Sequence, residues 1–261
     1  MRLSFALVIG ALLCACTAPG AGPDSRELTV MSWNLLHGAD EFGNLNLEAK
    51  GAYLARQCSD LVSLQEIDRK CARSGAVDQL SVLADLTGME PQFGSFMAYD
   101  GGHYGMGSLS ALPSLGSRAL ELPPGDEPRV ALIREVRVLE HSMLFVNVHF
   151  NWIEDDRARF AQAQALLLAL ESQELPCIIA GDFNDRPGSR TLEAFYASGF
   201  VHVEPAGPTW NARAPSKDID HVLIRSGPDL KVEALGGRIL DGDLLSDHCA
   251  LVVRVRVSDR E

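Results

Sequence analysis

Between residues 28 and 257 the chain repeatedly runs through a strand-length apolar stretch that ends, or begins, on an acid, an amide or an imidazole. Trp33-Asn34 closes one such stretch, Gln65-Glu66 a second, Asn147 to His149 a third and Gly181-Asp182-Phe183-Asn184 a fourth. Asp218 to His221 precedes the apolar Val222-Leu223-Ile224, and Ser246-Asp247-His248 precedes the apolar residues 249–253. A chain of this pattern must bury the apolar runs and bring their polar ends to one rim, because an isolated charge in a packed interior is costly unless paired or bound to a metal. Each position alone has an ordinary explanation. Asn34 or Asn184 could finish a turn, Glu66 or Asp182 could cap a helix, His149 could be a satisfied core histidine, and Asp247-His248 could open a surface strand. Six such sites in one chain weaken that explanation jointly.

Leu28 to Trp33 reads as a strand and Leu61 to Gln65 as a buried one, with two more at Met143 to His149 and Pro176 to Asp182. Near the C-terminus Val253, Val255 and Val257 alternate with Arg254 and Arg256, the period of a half-buried strand. Phe160, Ala163, Leu167 and Leu170 recur at helical spacing, and Asp155 and Asp156 favour a helix start before them. The Gly- and Pro-rich stretches around 100–107 and 123–128 read as loops. With no fixed-period repeat and no linker across residues 28–258, the expectation is one α/β domain.

The N-terminus is set apart from this pattern. Arg2 precedes an apolar run from Leu3 to Ala15 that is too short to span a bilayer, which takes about 20 residues, and the whole reads as an export signal. The run closes as Leu13-Cys14-Ala15-Cys16, which resembles a bacterial lipoprotein processing site and implies lipidation of Cys16. The alternatives are ordinary signal cleavage near Ala18 to Ala21, or a short uncleaved anchor. The expected organisation is a signal over residues 1–15, a lipidated Cys16 with a Pro/Gly-rich tether over 16–26, and a domain over 27–261, on a protein exported and held at a membrane. Export permits disulfides. A bridge between Cys58 and Cys71 would close a short local loop, and the sequence leaves that pairing open; Cys177 and Cys249 read as small core residues. Without a CxxC pair, a structural zinc site is not expected.

In family order, the stretches SWNLLHG (32–38), LQEID (64–68), YGMGSLSALP (104–113), EPRVALIREV (127–136), FVNVHF (145–150), GDFNDRPGS (181–189), DIDHVLI (218–224) and SDHCAL (246–251) resemble the endonuclease/exonuclease/phosphatase superfamily. GDFN and SDH at this separation are specific; YGMGSLS and EPR are weak taken singly. The resemblance implies a DNase I-like four-layer α/β sandwich, two facing mixed β-sheets flanked by helices, with the site where strand ends meet. It further implies Glu66 as principal ligand of Mg²⁺ (or Mn²⁺), supported by Asn34, with Asp247 as a further metal-side carboxylate. His248 matches the catalytic histidine and Asp220 the carboxylate that orients it. Asp182 and Asn184 correspond to the pair that positions and activates water and holds a phosphate oxygen, and His149 to a donor to the phosphate. His37 could face the cleft or be a loop histidine. Arg129 and Arg157 are candidate anion contacts whose default is a solvated surface. Two positions depart: Leu36 stands where abasic-endonuclease relatives carry Asp, which puts two-metal schemes in doubt, and Met106 stands where relatives often carry Asn.

Hard oxygen donors suit Mg²⁺ or Mn²⁺ rather than a thiolate-loving metal, and phosphoester hydrolysis needs such a cation together with a proton-handling group. The expectation is therefore a monomeric, metal-dependent phosphoester hydrolase. An extracellular endonuclease is the alternative enzyme, with nucleic acid as its partner, and a non-catalytic binding lipoprotein on the same fold is the alternative of another class. Composition bears on that choice. Acids outnumber bases 35 to 23, a net charge of −12, which argues against tight non-specific DNA binding, since that grip comes from Lys and Arg neutralising phosphates.

Overall fold

A computed structural model describes residues 25–260; the expected export signal and the Cys16 anchor fall outside the described residues. One six-stranded sheet is built from β1 (Ser25–Asn34), β2 (Leu61–Arg69), β3 (Glu90–Tyr99), β4 (Gly102–Ser110), β11 (Leu230–Leu240) and β12 (Ala250–Asp259) in the order β11-β12-β1-β2-β4-β3. The second is built from β5 (Ser114–Glu121), β6 (Val130–Val138), β7 (His141–His149), β8 (Cys177–Asp182), β9 (Val201–His202) and β10 (Asp220–Arg225) in the order β5-β6-β7-β8-β10-β9. Both sheets are mixed. Each has one parallel pair near its centre, β1 with β2 and β7 with β8, while the remaining pairs are antiparallel. A parallel pair ends both strands on the same side, so Asn34 lies beside Gln65 in the first sheet and His149 beside Asp182 in the second.

The period-two pattern decides the layers. In β1, Leu28 and Val30 enter a core shared with Ile178, Ala180, Val222 and Ile224 of the other sheet. Met31 and Trp33 face outward, under Tyr53 and Leu54 of α1 (Leu47–Arg56) and Leu80 and Leu83 of α2 (Gln79–Thr87). In β8 the same alternation sends Cys177 and Ile179 outward against Ala163, Leu166 and Leu170 of α3 (Arg157–Glu171) and Leu192 and Phe195 of α4 (Arg190–Ala197). The central strands are therefore buried on both faces, and the four-layer sandwich follows. Burying each large aliphatic or aromatic side chain contributes about 1.5–3 kcal/mol. Among the described residues no helix is long and apolar enough to cross a membrane.

Polar groups also tie the sheets together beneath the rim. Asn147 Nδ2 donates to Leu64 O at 3.0 Å and Gly107 O at 2.7 Å, Gln65 Nε2 donates to Asn147 Oδ1 at 2.8 Å, and Ser63 Oγ donates to Ala180 O at 2.8 Å. Gln65 and Asn147 thus belong to the inter-sheet scaffold.

The expected strands and the helix over Phe160–Leu170 are present. Asp155 and Asp156 sit before α3 as expected: Asp155 Oδ1 accepts from Arg157 N at 3.2 Å, and the two carboxylates also pair with the guanidinium groups of Arg157 and Arg190. One expectation is corrected, and the open cysteine pairing is decided. The stretch around 100–107 is not a loop: Gly102–Ser110 forms β4, between β2 and β3. Its glycines answer to crowding, since a Cβ at Gly105 would lie 2.0 Å from Gly94 O. Nor does Cys58 pair with Cys71. Cys71 is a free, buried thiol whose Sγ lies 3.2 Å from Tyr99 O and 3.4 Å from His103 O, at the β3–β4 hairpin. Cys177 and Cys249 are free and buried, as core residues.

Candidate functional site

In the second sheet the site residues sit on regular ladder positions. Asp182 ends β8, His149 ends the parallel β7, and Asp220 starts the antiparallel β10 directly opposite Asp182. Gly181 precedes Asp182 because a Cβ there would lie 2.1 Å from Val148 O. One carboxylate oxygen, Asp182 Oδ2, is ringed by three nitrogens: Asn34 Nδ2 at 3.3 Å, His149 Nε2 at 3.6 Å and His248 Nε2 at 3.8 Å. Its other oxygen accepts from Asn184 N at 2.9 Å, and Asn184 Nδ2 donates to Phe150 O at 3.0 Å.

The first sheet supplies its residues through irregular backbone. Gln65 pairs with Met106 and Ile67 with Gly105, leaving Glu66 as the extra residue of a bulge, at φ 56°. A bulge re-aims a side chain that a regular strand would send into a packed layer, and a left-handed non-glycine residue there is strain held at a site. Asn34 Nδ2 donates to Glu66 Oε1 at 3.1 Å, so this amide spans the two sheets. Asn34 Oδ1 accepts from Leu36 N at 3.1 Å, and His37 Nδ1 lies 3.9 Å from Glu66 Oε2.

The segment carrying Asp247 and His248 is held from behind. Ser246 Oγ donates to Asn34 O at 2.7 Å, Trp33 Nε1 donates to His248 O at 3.0 Å, and the Lys50 ammonium donates to Leu245 O. His248 Nδ1 meets Asp220 Oδ2 at 2.9 Å, and Thr209 Oγ1 donates to the same oxygen at 2.6 Å. Trp210 Nε1 donates to Asp247 Oδ2 at 3.1 Å.

Burial and these partners set the charges. Burial works against a charged His248, but the facing Asp220 outweighs it and raises the imidazole to about 10. Burial, and then the nearby Asp220, raises Asp182 above the carboxylate range. Glu66 goes the other way. Burial opposes its charge, yet the His37 hydrogen bond, the Asn34 amide and the charge of His248 hold it down at about 2. His149 is pushed well below its usual value by burial and then by the charge of Arg129.

These groups open onto one cleft of about 570 Å³. Its floor is acidic, with Glu66, Asp182 and Asp247, and its walls carry Arg73, Arg129 and Lys217. Every expected site residue lines it or bonds to one that does: Glu66, His149, Asp182, Asn184, Asp247 and His248 face it, with Asn34 and Asp220 immediately behind. His37 and Arg129 also face the cleft. Arg157 does not; it is exposed and paired with Asp155 at 2.5 Å. Met106 is core, packed with Phe96, Tyr104 and Leu132. Sequence reasoning missed Thr209, Trp210, Tyr104, Arg73, Lys217 and Lys50. Thr209 and Trp210 lie beyond any motif, while Lys50 carried a signal in hindsight, a lysine on the apolar stripe of α1.

A divalent cation fits this donor set. The oxygens of Glu66 and Asp182 converge on the Asn34 amide N–H, Asp247 faces the same cleft, and among the described residues no thiol lines it; carboxylate oxygens are hard donors suited to Mg²⁺. Asp182, Asp220 and His248 also bring ligand atoms within 4.8 Å of one another. In that trio, however, Asp220 Oδ2 is already committed to His248 and Thr209, the arrangement of a proton-handling pair.

The fold recurs in solved structures. An endonuclease/exonuclease/phosphatase from Beutenbergia cavernae DSM 12333 superposes with a TM-score of 0.73 at 21% identity, covering 89% of this chain and 72% of that one. D. rerio TDP2 complexed with a single-strand DNA product gives 0.69 at 20% identity, covering 88% and 98%. The human Nocturnin catalytic domain with bound sulfate gives 0.66 at 20% identity, covering 90% and 94%. Likeness at that identity speaks to fold alone. The sequence pattern of the Endonuclease/Exonuclease/phosphatase family, though, matches residues 31–248, and so this chain, with its two mixed sheets and its site where their strands end, belongs to the endonuclease/exonuclease/phosphatase family.

Proposed function

We propose that the protein is a divalent-metal-dependent phosphoester hydrolase. The observation that carries this is the single cleft in which His248, held by Asp220, meets Asp182, and the Asn34 amide N–H joins Asp182 to Glu66. Glu66 and Asp247 would hold Mg²⁺ or Mn²⁺, with Asn34 supporting the site by its amide hydrogen bond to Glu66, and the cation would supply positive charge against the phosphoryl oxygens. Asp182, raised toward neutrality by burial and Asp220, takes the proton of the attacking water, since a general base works best with its pKa near the working pH. His248, raised by Asp220, is an imidazolium at neutral pH and stabilises charge on the phosphoryl group from Nε2. Asn184 holds Asp182 in orientation through its backbone N–H.

The test is turnover of supercoiled plasmid, a small phosphodiester and a small phosphomonoester with Mg²⁺, Mn²⁺ or EDTA, beside Glu66→Ala and His248→Ala. Metal-dependent turnover of small esters, lost in both variants, is expected. Plasmid cleavage lost in both would move the assignment to a nuclease, and no metal-dependent turnover of anything would leave a binding protein. The same reading has the chain exported and tethered through Cys16, on sequence grounds alone. Cys16→Ala should then move the protein out of the membrane fraction, and unchanged partitioning would sink the anchor.

A further inference from the structure

Resting on that reading, we propose that the phosphate this cleft takes is a terminal one, a phosphomonoester dianion whose non-bridging oxygens are bound by Arg129. Arg129 immediately precedes β6 and lines the cleft with its side chain 2% exposed. One nitrogen, Nη2, pairs with Glu127 Oε2 at 3.1 Å, and the guanidinium lies 4.7 Å from the centroid of the Phe96 ring. Its other two nitrogens, Nε and Nη1, are buried and meet no acceptor. Folded proteins satisfy the large majority of such donors, and a buried donor of a charged group left unpaired costs more than a neutral one. Next to it on this wall His149 Nδ1 is likewise buried without a partner. Burial and the charge of Arg129 keep that imidazole neutral, so of these two neighbours the guanidinium carries the charge, alongside Arg73 and Lys217 elsewhere in the cleft lining.

An acceptor with several negative oxygens would satisfy this wall. Nothing on the acidic floor can do so without losing the site for a cation. A phosphodiester presents two non-bridging oxygens and one negative charge, whereas a phosphomonoester presents three, and close to two charges near neutral pH. A guanidinium is suited to such an oxygen array. Arg129 therefore offers, in its two unpartnered donors, what the third non-bridging oxygen and second charge of a monoester call for and a diester does not. The chemistry stays balanced: the oxygen of water bonds to phosphorus, the P–O bond to the alcohol breaks with its electron pair, and inorganic phosphate and the protonated alcohol leave. The reaction class that supplies this substrate is one that leaves a terminal phosphate on an organic alcohol.

The experiment compares 4-nitrophenyl phosphate with methyl 4-nitrophenyl phosphate, which share a leaving group, in the wild type, Arg129→Met and Arg129→Lys with Mg²⁺. The ratio of kcat/KM for monoester over diester should fall by on the order of 10–100-fold in Arg129→Met, mainly through KM, with Arg129→Lys between. Inhibition by inorganic phosphate should weaken in parallel. The melting temperature of Arg129→Met should equal or exceed that of the wild type, because two unsatisfied buried donors leave with the side chain; a purely structural arginine would lower it. An equal loss on both esters, or an unchanged ratio, would overturn the assignment of Arg129 while leaving the hydrolase intact. Wild-type protein that turns over neither ester would overturn the hydrolase reading and this one with it.

Discussion

The two sheets reach the same cleft by different means. The second presents His149, Asp182 and Asp220 from paired positions at the ends of regular strands, all buried. The first presents Glu66 from a bulge at φ 56° and reaches the cleft further through Leu36 and His37, both left-handed at φ 47° and 44°. The difference matches the tasks the two sets are assigned. A proton-handling set works only if tautomer and orientation are fixed, which a ladder does. A metal ligand must reach across to where the other sheet's oxygens are, which on β2 takes a departure from the strand's own alternation.

The largest effect should come from removing the re-aimed ligand. Glu66→Ala is expected to lower kcat/KM by about 10³-fold or more and to abolish the calorimetric Mg²⁺ binding isotherm; His248→Ala should lose about 10²–10⁴-fold with that isotherm retained. If both variants lose metal equally, the division of labour between Glu66 and the His248–Asp220 pair is wrong. Next in size is Gly105→Ala. Gly105 is the β4 residue opposite the bulge, and its Cβ would meet Gly94 O, so a loss of several kcal/mol is expected in the urea midpoint, on the order of the largest single-site effects. A midpoint that holds would mean that β4 tolerates the methyl group and that the bulge is not braced there.

Smaller still is Thr209→Val, which deletes the 2.6 Å hydrogen bond to Asp220. About a tenfold fall in kcat with little change in KM is expected, together with a shift of the pH profile that a structural defect would not produce. The pH dependence of stability in EDTA sharpens the comparison further. His248 is raised to about 10 by Asp220 against the opposing effect of burial. Its stabilisation is therefore complete below its unfolded value of about 6.5 and is lost as pH rises through about 10. Lys50 is depressed to about 7 by burial, against the pull of Asp247, so it makes stability rise over pH 7 to about 10.5. In the wild type the two slopes oppose each other. His248→Gln should leave a melting temperature that climbs with pH in this range, and Lys50→Met one that falls; two parallel curves would refute the assignment of these charges. At the small end, Arg157→Ala, with its partner exposed and no place in the cleft, should change neither rate nor melting temperature.

Most of the site was legible because its residues stand where apolar runs stop. Asn34, His149 and Asp182 end strands, Asp220 starts one and His248 stands just before β12, and a polar group there has few places to go except a rim; Glu66 reaches the same rim from a bulge inside β2, which runs on to Arg69. Arg129 was legible only as a possibility. That it faces the cleft, and that Arg157 does not, depends on the path of the loop before β6 and on the partner Asp155. The glycines of β4 misled because a glycine demanded by crowding looks the same in sequence as one demanded by a turn. The cysteine pairing stayed open because 13 residues of separation say nothing about where two Cβ vectors point. Thr209 carried no signal at all: it lies 11 residues from Asp220 in a loop without periodicity, and its role comes from one hydrogen bond.

The sequence by itself determined the alternation of buried strands and helices, the layer each strand face enters and the residue types gathered at the strand ends, because hydrophobic burial follows local periodicity. Tertiary structure alone decided which oxygen of Asp182 three nitrogens surround, that Glu66 sits on a bulge, that Cys71 stays a thiol, and that Arg129 keeps two donors without acceptors. Those facts depend on distances of a few ångströms between segments tens of residues apart, and 148 apart for Asn34 and Asp182, which local pattern does not encode.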